Sequence, residues 1–321
     1  MREKLILQVN VPICQHRCAY CSCPFTPYSP GLAAAYAKAL VREAESAARD
    51  MDGYEVCAIS IEGGSPALLD AALLQELIRV TRRSFHLAKD VQICLETMPG
   101  DYSRALMEKM RDCGVNHWII GLESADLAEH ALLERPYRFD ALTMVDTAIR
   151  VFRPRDLSFH LLYGIPGQSE KSLDHTLNSV LSYRPEHLTL RPLQLEAGTR
   201  LQLDCLMGSQ KALPEEETQQ LRLQAKKRLE ELGYRAYTRW DYCFPGHENR
   251  FRTGQMEGTA QLGLGYRAVS ILDGFTWKNG HSMQEYLDHS EDYTILADQV
   301  CELTGEALEI WERTRGNMRP V

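Results

Sequence analysis

The chain of 321 residues lacks several features that would assign it to large classes of protein. It has no apolar run as long as a membrane span, no internal repeat and no low-complexity segment. Basic residues are not in excess: 36 Lys and Arg stand against 44 Asp and Glu, a net charge of −8, which disfavours a nucleic-acid-binding surface. Asn10 and Pro12 interrupt the first apolar run, so we expect no signal peptide. These absences predict a cytoplasmic globular protein with no membrane span.

Cysteine, by contrast, is plentiful, with ten residues in the chain. In a cytoplasmic protein such cysteines are expected as metal ligands or buried thiols and not as disulfides. Three of them form the motif Cys14-x-x-x-Cys18-x-x-Cys21, which follows a strand-like run at residues 5–11. Three thiolates in one tight loop can bind three irons of a [4Fe–4S] cluster and leave the fourth iron open for a substrate or cosubstrate. The carboxyl end of a parallel strand is also where α/β folds place their chemistry.

A zinc site is the alternative interpretation of the same segment. Cys23 adds a fourth thiol, and four cysteines can form a closed tetrahedral zinc site. Structural zinc usually takes two separate pairs of ligands, however, and four thiols within ten residues fit that arrangement poorly. The spacing favours the cluster over zinc, and it favours both over disulfides.

The pattern of apolar runs predicts an α/β fold. Six nearly continuous apolar runs, typical of strands buried on both faces of a parallel sheet, alternate with helical patterns. These runs lie at residues 5–11, 56–61, 91–96, 115–122, 157–163 and 188–193. Six βα units in about 190 residues predict a partial, open six-stranded parallel (β/α) barrel, which would leave a lateral gap for a larger substrate.

After about residue 204 the pattern changes. Pro214 precedes a predicted helix with acidic residues in its first turn and basic residues near its end, and Gly233 follows it. Gly-rich turns and a strand-like run near 262–272 come later. We therefore predict a barrel domain at residues 1–204 and a smaller C-terminal α+β domain at 205–321 that covers the barrel.

Polar residues follow the ends of several predicted strands. The second strand runs into Glu62-Gly63-Gly64-Ser65-Pro66, whose glycines let the backbone approach a ligand closely or simply form a tight turn. Glu96 and Glu123 end the next two strands, and His160 lies in the fifth. Glu96 and Glu123 can accept hydrogen bonds from hydroxyl or amine groups, and Arg135 can pair with a carboxylate. Beside a metal-binding loop on the first strand, these side chains together predict a functional site.

These motifs identify a family resemblance over residues 7–270. The chain resembles radical S-adenosylmethionine (SAM) enzymes of the oxygen-independent coproporphyrinogen III oxidase-like family, which also includes heme chaperones and methyltransferases. The motifs that carry the resemblance are Val11-Pro12-Ile13-Cys14 with Cys18-Ala19-Tyr20-Cys21, Glu62-Gly63-Gly64-Ser65-Pro66, Glu96-Thr97-Met98-Pro99-Gly100, Gly121-Leu122-Glu123-Ser124, Tyr163-Gly164-Ile165-Pro166-Gly167-Gln168, Leu195-Glu196-Ala197-Gly198-Thr199, Pro245-Gly246-His247-Glu248 and Leu262-Gly263-Leu264-Gly265.

The resemblance implies a mechanism. Cys14, Cys18 and Cys21 would ligate a [4Fe–4S] cluster whose open iron binds the amino and carboxylate groups of SAM. An electron from the cluster would then cleave SAM to methionine and a 5′-deoxyadenosyl radical, which abstracts hydrogen from the substrate. A flavodoxin or ferredoxin would supply the electron, and the substrate would be a bulky small molecule such as a tetrapyrrole.

Further roles are implied for the cofactor-binding positions. Gly63 and Gly64 would hold the SAM amino group, with Ser65 in the same turn. Glu96 and Glu123 would contact the ribose region, and Arg135 the carboxylate. The remaining cofactor-binding positions are Tyr20 against the cluster loop, the backbone near Ile165 beside the adenine, and His160 as a pH-dependent contact to SAM or substrate.

The chain departs from the family at several positions. Gln8 and Asn10 replace an aromatic residue and a histidine, Glu123 replaces glutamine, and His160 replaces aspartate. The C-terminal His-Asn-x-x-Tyr-Trp segment of the chaperones is absent, and residues 248–254 stand in its place. The first change weakens the expectation of coproporphyrinogen decarboxylation, and the missing segment weakens that of heme delivery.

Alternatives to the oxidase-like hypothesis therefore stay open. One is a methyltransferase that uses two SAM molecules, another is a heme-binding chaperone, and a third is a zinc-stabilised barrel with no redox role. Arg250, Arg252 and Arg267 form either a cluster that recognises substrate carboxylates or a solvated surface.

Overall fold

The computed structural model describes residues 2–135 and 141–320. The strands in these residues are β1 (Glu3–Val11), β2 (Ile13–Cys14), β3 (Thr26–Pro27), β4 (Tyr54–Gly63), β5 (Leu87–Thr97), β6 (His117–Glu123), β7 (Leu157–Tyr163), β8 (His187–Pro192), β9 (Arg235–Ala236), β10 (Asp241–Cys243), β11 (Ala260–Leu264), β12 (Val269–Leu272), β13 (Phe275–Asn279) and β14 (Ala297–Glu302). The helices are α1 (Pro30–Ala47), α2 (Ala71–Ser84), α3 (Arg104–Cys113), α4 (Leu127–Leu132), α5 (Ala141–Val151), α6 (Glu170–Leu181), α7 (Arg200–Leu206), α8 (Glu215–Glu231), α9 (Arg250–Glu257), α10 (Met283–His289) and α11 (Gly305–Gly316), with short 3₁₀ turns at Ala48–Asp50, Pro66–Leu68 and Pro154–Asp156.

Six parallel strands form the centre of a large mixed sheet. They lie side by side in chain order as β1, β4, β5, β6, β7 and β8, and helices connect each strand to the next. The full strand order is β14-β13-β12-β11-β1-β4-β5-β6-β7-β8-β10-β9. All six predicted strands are confirmed, and because the order is linear the predicted open barrel is confirmed as well.

Strands from the C-terminal segment extend this sheet on both sides. β11 runs parallel to β1, with Leu5 opposite Ala260 and Val9 opposite Leu264, while β10 pairs antiparallel with β8. The predicted strand-like run at 262–272 is two strands, because Gly265, at φ +100°, turns the chain between β11 and β12. Residues after 204 thus share the barrel's sheet, and the division into two domains at that point stays a prediction.

The sheet core consists of the apolar runs seen in the sequence. Every residue of β6 except Glu123 is buried, as expected for a central strand covered on both faces. In α2, Leu74, Leu77 and Ile78 recur at helical spacing on the buried face. Trp118 of β6 packs against Tyr102 and Phe152 with ring centroids 5.6 and 5.4 Å apart.

Helix ends follow the capping rules. Ser29, Asp70, Ser103 and Thr199 are N-cap residues whose side-chain oxygens accept backbone N–H bonds in the first turn. The helix predicted after Pro214 is confirmed as α8, with its acidic residues in the first turn and Arg228 in the last. No helix in residues 2–135 or 141–320 has the length and apolar character that crossing a membrane requires.

Candidate active site

The cysteine motif lies on a loop anchored at both ends and in the middle. The short strands β2 and β3 at its two ends pair in parallel, and the Thr26 N–H donates to the Pro12 carbonyl over 2.7 Å. In the middle, the Ala19 N–H donates to the Leu133 carbonyl over 3.0 Å. The loop is thereby held at the carboxyl end of β1, where the sequence predicted it.

The thiols of this loop differ in their electrostatic surroundings. Burial raises the pKa of Cys14 to about 12 and also raises that of Cys18, although the nearby Arg135 opposes the second shift. Arg135 Nη1 lies 3.5 Å from Cys18 Sγ. A hydrogen bond with Cys23 lowers the pKa of Cys21 to about 6. Cys14 and Cys18 therefore carry protons in the free protein, and they would release these protons on binding iron as thiolates.

The thiols do not form a closed site for one metal ion. In the part of the chain that the structure describes, no group of three or more His, Cys, Asp or Glu side chains converges closely enough to hold a single ion. A mononuclear zinc site needs such convergence, whereas a cluster distributes its thiolates over different irons. The described side chains thus show no preformed site for a single zinc ion, and the zinc alternative stays a hypothesis from the sequence.

The Gly63–Gly64 turn packs directly against the cysteine loop. A Cβ atom on Gly64 would lie 2.7 Å from Cys14 Sγ and 2.7 Å from the Ile13 carbonyl oxygen, so no larger residue fits there. Gly63 has φ +114°, and its Cβ would lie 2.2 Å from Asn10 Oδ1. The glycines thus let the turn approach the first cysteine closely, and they line the same cavity as the three thiols, where a bulky inorganic group would fit.

Most of the predicted site residues line one cavity of about 320 Å³ next to this loop. The predicted residues that the structure brings together there are Cys14, Cys18, Tyr20, Cys21, Gly63, Gly64, Glu96, Glu123, Arg135 and His160.

Two predicted residues lie outside the cavity lining. Ser65 is fully buried behind the glycine turn, and its hydroxyl donates to Asp101 over 2.5 Å. Ile165 is fully buried in a small apolar cluster with Ala19 and Leu201. Their predicted cofactor contacts stay predictions, and any contact of Ile165 would have to involve its backbone.

Glu123, Arg135 and Tyr20 form a buried network on one wall. Arg135 Nη2 donates to Glu123 Oε1 over 3.1 Å, and the Tyr20 hydroxyl donates to the same oxygen over 3.0 Å. Arg135 also donates to the Gly121 carbonyl and, over 3.0 Å, to Met98 Sδ. The Glu123 backbone has φ +66°, at a bulge between β6 and β7 that directs this side chain to Arg135. A glutamate where the family has glutamine thus supplies Arg135 with a counter-ion.

Glu96 and His160 form a second pair, on β5 and β7. His160 Nδ1 lies 3.2 Å from Glu96 Oε1. Burial opposes ionisation of Glu96, but the interaction with His160 and the nearby guanidinium groups of Arg252 and Arg191 outweigh it and lower the pKa of Glu96 to about 2. Glu96 is therefore an ionised hydrogen-bond acceptor at neutral pH, as its proposed contact to ribose hydroxyls requires.

The structure also places charged residues in the barrel that the sequence analysis did not assign to the site. Arg252 Nη2 lies 3.7 Å from Glu62 Oε2, and Gln8 donates to Glu62 Oε1 over 2.8 Å. Arg191, near the end of β8, lines the cavity with the cysteine loop. Glu96 and Glu123 were identified because they are charged residues at the ends of predicted strands. Arg191 lies near the end of the sixth predicted strand and could have been identified in the same way.

The three arginines of the proposed cluster each have a different carboxylate partner, and their recognition of substrate carboxylates stays a prediction. Arg250 pairs with Asp90 over 2.7 Å, at the amino-terminal part of β5. Arg267 lies 3.8 Å from Asp298 and lines a cleft that shares Cys23 and Phe25 with the cavity beside the cysteine loop. Only Arg252, on α9, reaches the barrel interior.

The chain is similar to known proteins along most of its length. The family model "Radical SAM superfamily" matches residues 11–180, more than half of the chain. The heme chaperone HemW of Synechocystis sp. is 24% identical over 304 residues, which cover 93% of this chain and 73% of that protein. The oxygen-independent coproporphyrinogen III oxidase of Pseudomonas aeruginosa is 24% identical over 305 residues, which cover 88% of this chain and 65% of that protein.

A solved structure shows the same fold. The structure of coproporphyrinogen III oxidase (HemN) from Escherichia coli, a radical SAM enzyme, superposes with a TM-score of 0.84 at 19% identity, covering 99% of this chain and 76% of that one. The fold, the cysteine loop and the family match agree, and the chain belongs to the radical SAM superfamily. Membership of this superfamily implies a [4Fe–4S] cluster and SAM.

Proposed function

We propose that this protein is a radical SAM enzyme that abstracts hydrogen from a bulky small molecule of the tetrapyrrole class. The observation that carries the proposal is the convergence of the three motif cysteines, the glycine turn and the Glu96, Glu123 and Arg135 side chains on one cavity. When bound, the cluster supplies the electron that splits SAM into methionine and a 5′-deoxyadenosyl radical, which removes a hydrogen atom from the substrate.

The chain's own residues would bind and orient these groups. Cys14, Cys18 and Cys21 would each give one thiolate to the cluster. The ionised Glu96 would accept hydrogen bonds from ribose hydroxyls, since its low pKa keeps it charged throughout the neutral range. Arg135, paired with Glu123 over 3.1 Å, would share its guanidinium with the SAM carboxylate.

Tetrapyrroles are proposed as the substrate class because two relatives along most of this chain act on such molecules by name, one as a heme chaperone and one as a coproporphyrinogen III oxidase. Gln8 and Asn10, which replace an aromatic residue and a histidine, argue for a substrate or reaction other than coproporphyrinogen decarboxylation. Gln8 instead bonds to Glu62 and Asn10 to the Tyr266 carbonyl. We further propose that a flavodoxin or ferredoxin supplies the electron.

A heme-binding chaperone is the second candidate. It is favoured by the similarity to HemW over 93% of the chain. It is disfavoured by residues 248–254, where the chaperone segment is replaced: Phe251 is buried against Ile6, and Arg252 pairs with Glu62. Neither side chain can bind heme iron, because phenylalanine has no donor atom and the arginine guanidinium stays protonated.

One anaerobic experiment separates the two candidates. The protein is reconstituted with iron and sulfide, SAM and dithionite are added, and 5′-deoxyadenosine is measured by mass spectrometry. We expect product from the wild type and from the control Cys301→Ala, whose thiol is exposed on β14, and none from Cys18→Ala. A cluster-loaded wild type that binds one heme per chain and forms no 5′-deoxyadenosine would favour the chaperone. S-adenosylhomocysteine as an additional product would indicate a methyltransferase.

A further inference from the structure

Arg191 is a cavity-lining arginine that has no direct ion-pair partner among the described residues. It lies near the end of β8 and lines the same cavity as the cysteine loop, Glu96 and His160. In residues 2–135 and 141–320 it forms no ion pair within 4.0 Å, and its buried Nε has no hydrogen-bond partner. Of the other arginines in the lining, Arg135 is paired with Glu123, and Arg17 is exposed and donates to the Cys21 carbonyl.

The neighbouring carboxylates are already bound by other groups. Glu96 pairs with His160 over 3.2 Å. Asp241 accepts hydrogen bonds from the hydroxyls of Thr189 and Thr238, over 2.6 and 2.5 Å. The carboxylate of Glu62 accepts from Gln8 and from Ser60 and lies 3.7 Å from Arg252. None of the three is free to turn to Arg191 without losing these bonds.

Trp240 and Arg252 are further neighbours of the Arg191 guanidinium. Its Cζ lies 5.8 Å from the centroid of the Trp240 ring, which restricts its orientation. Burial and the like charge of Arg252 lower the pKa of Arg191, and they outweigh the opposing attraction of Asp241, Glu96 and Glu62. A buried charge without a direct partner is unfavourable, and binding an anion beside it offsets part of that cost.

We propose that Arg191 is a binding residue for a carboxylate of the ligand that enters this cavity. The planar guanidinium offers two parallel N–H donors, which match the two oxygens of a carboxylate. The carboxylate comes from the substrate or from the amino-acid part of SAM. This inference rests on the proposed function for the nature of the ligand, and it adds a specificity-determining residue on the sixth strand.

The test measures binding and not turnover. Reconstituted wild type, Arg191→Gln and Arg191→Lys are titrated anaerobically with coproporphyrin III, with its tetramethyl ester and with SAM. The control is Arg239→Gln, because Arg239 also lies 5.8 Å from the Trp240 ring but lines a different cavity. We expect Arg191→Gln to weaken the binding of one carboxylate-bearing probe, coproporphyrin III or SAM, about 10-fold or more, the effect of losing a charge-assisted hydrogen bond. Arg191→Lys should recover part of this affinity. The affinity for the tetramethyl ester should change about 2-fold or less in Arg191→Gln. Arg239→Gln should change the affinity for each probe about 2-fold or less.

The arms of the experiment identify the source of the carboxylate. Sensitivity of coproporphyrin III alone assigns Arg191 to the substrate, and sensitivity of SAM alone assigns it to the cosubstrate. Unchanged affinity for both, or no binding of either by the wild type, overturns the proposal.

Thermal melting of the ligand-free protein is the second readout. Because Arg191 has no direct ion-pair partner among the described residues, Arg191→Gln should melt at or above the wild-type temperature, and a drop larger than that of Arg239→Gln would show a structural role and overturn the proposal. A wild type that binds a probe through Arg191 but forms no 5′-deoxyadenosine would overturn the proposed enzyme function and leave this carboxylate site standing.

Discussion

Gly64 is the residue whose size limits the cysteine loop most directly. Its missing side chain leaves the space that Cys14 Sγ and the Ile13 carbonyl occupy, both 2.7 Å from where a Cβ atom would lie. Gly64→Ala should therefore displace the first cysteine and reduce cluster retention about tenfold, as is usual for groups that orient a metal ligand. Iron and acid-labile sulfide per chain after reconstitution measure the effect.

The control for this substitution is Gly31→Ala. The Gly31 Cβ would meet no atom within 4 Å, and this residue lies at the start of α1. Equal iron content in Gly64→Ala and Gly31→Ala would show that the contact between the turn and the loop does not support the cluster.

Single residues also mark the limit of the sequence analysis at the site. Polar residues after apolar strands predicted Glu96, Glu123 and His160 correctly as neighbours of the cysteines. Their partners were not predictable, because Glu123 meets Arg135 through a bulge with φ +66° and Glu96 meets His160 across the intervening strand β6. The local sequence does not indicate where a bulge forms, and it does not give the distance between side chains on different strands.

At the scale of elements, α1 connects the end of β1 to the turn after β11. The Tyr36 hydroxyl on α1 donates to the Asn10 carbonyl over 2.7 Å and accepts from the Tyr266 N–H over 2.8 Å. Tyr36 is fully buried, so water does not replace either bond. One hydroxyl therefore joins three elements at the rim that holds the cysteine loop.

Removing this hydroxyl should destabilise the fold. Tyr36→Phe leaves a buried carbonyl and a buried N–H without this partner, which costs about 1–3 kcal/mol. The midpoint of urea denaturation should fall accordingly, while Tyr28→Phe, at an exposed tyrosine, should stay within about 0.5 kcal/mol of the wild type. An unchanged midpoint in Tyr36→Phe would show that another group satisfies Asn10 and Tyr266.

The strands illustrate how much of the fold is readable from local sequence. Parallel strands buried on both faces produce apolar runs, so β7 is found at residues 157–163 as predicted. β5 begins at Leu87, four residues before its apolar run, because its first residues include the exposed Lys89 and Asp90. The pairing of β11 with β1 joins residues far apart in sequence, and no local pattern indicates it.

At the scale of the whole molecule, two buried histidines connect β6, β7 and β8. Ser158 Oγ lies 2.5 Å from His117 Nε2 and 2.8 Å from His187 Nδ1, and His187 Nε2 lies 2.6 Å from the Tyr237 hydroxyl. Burial lowers the pKa of His117 from 6.5 to about 3 and that of His187 from 6.5 to about 4. Both side chains are therefore neutral in the folded protein.

This neutrality predicts a loss of stability in acid. Below about pH 6.5 the unfolded chain binds protons that the folded chain does not, so the free energy of unfolding falls as the pH falls. Each histidine should lower the free energy of unfolding by about 2 kcal/mol between pH 6.5 and 5. This decrease should end near the pKa values of the two histidines in the folded protein. Urea denaturation at a series of pH values measures the slope.

His187→Gln should reduce the slope of the free energy of unfolding against pH by the equivalent of about one bound proton. His289→Gln, at an exposed residue of α10, should not change this slope. A slope that is equal in the wild type and in His187→Gln would show that other groups control the acid sensitivity.

The position of β1 in the sheet has a consequence for the order in which the protein can be made. β1 is synthesised well before one of its two neighbours, β11, which begins only at residue 260. Until then one side of an apolar strand has unpaired N–H and carbonyl groups, which can pair with other nascent chains. The first strand thus depends on the late part of the chain for protection against aggregation, and a chain truncated before residue 260 should be insoluble even though it contains every cysteine of the motif.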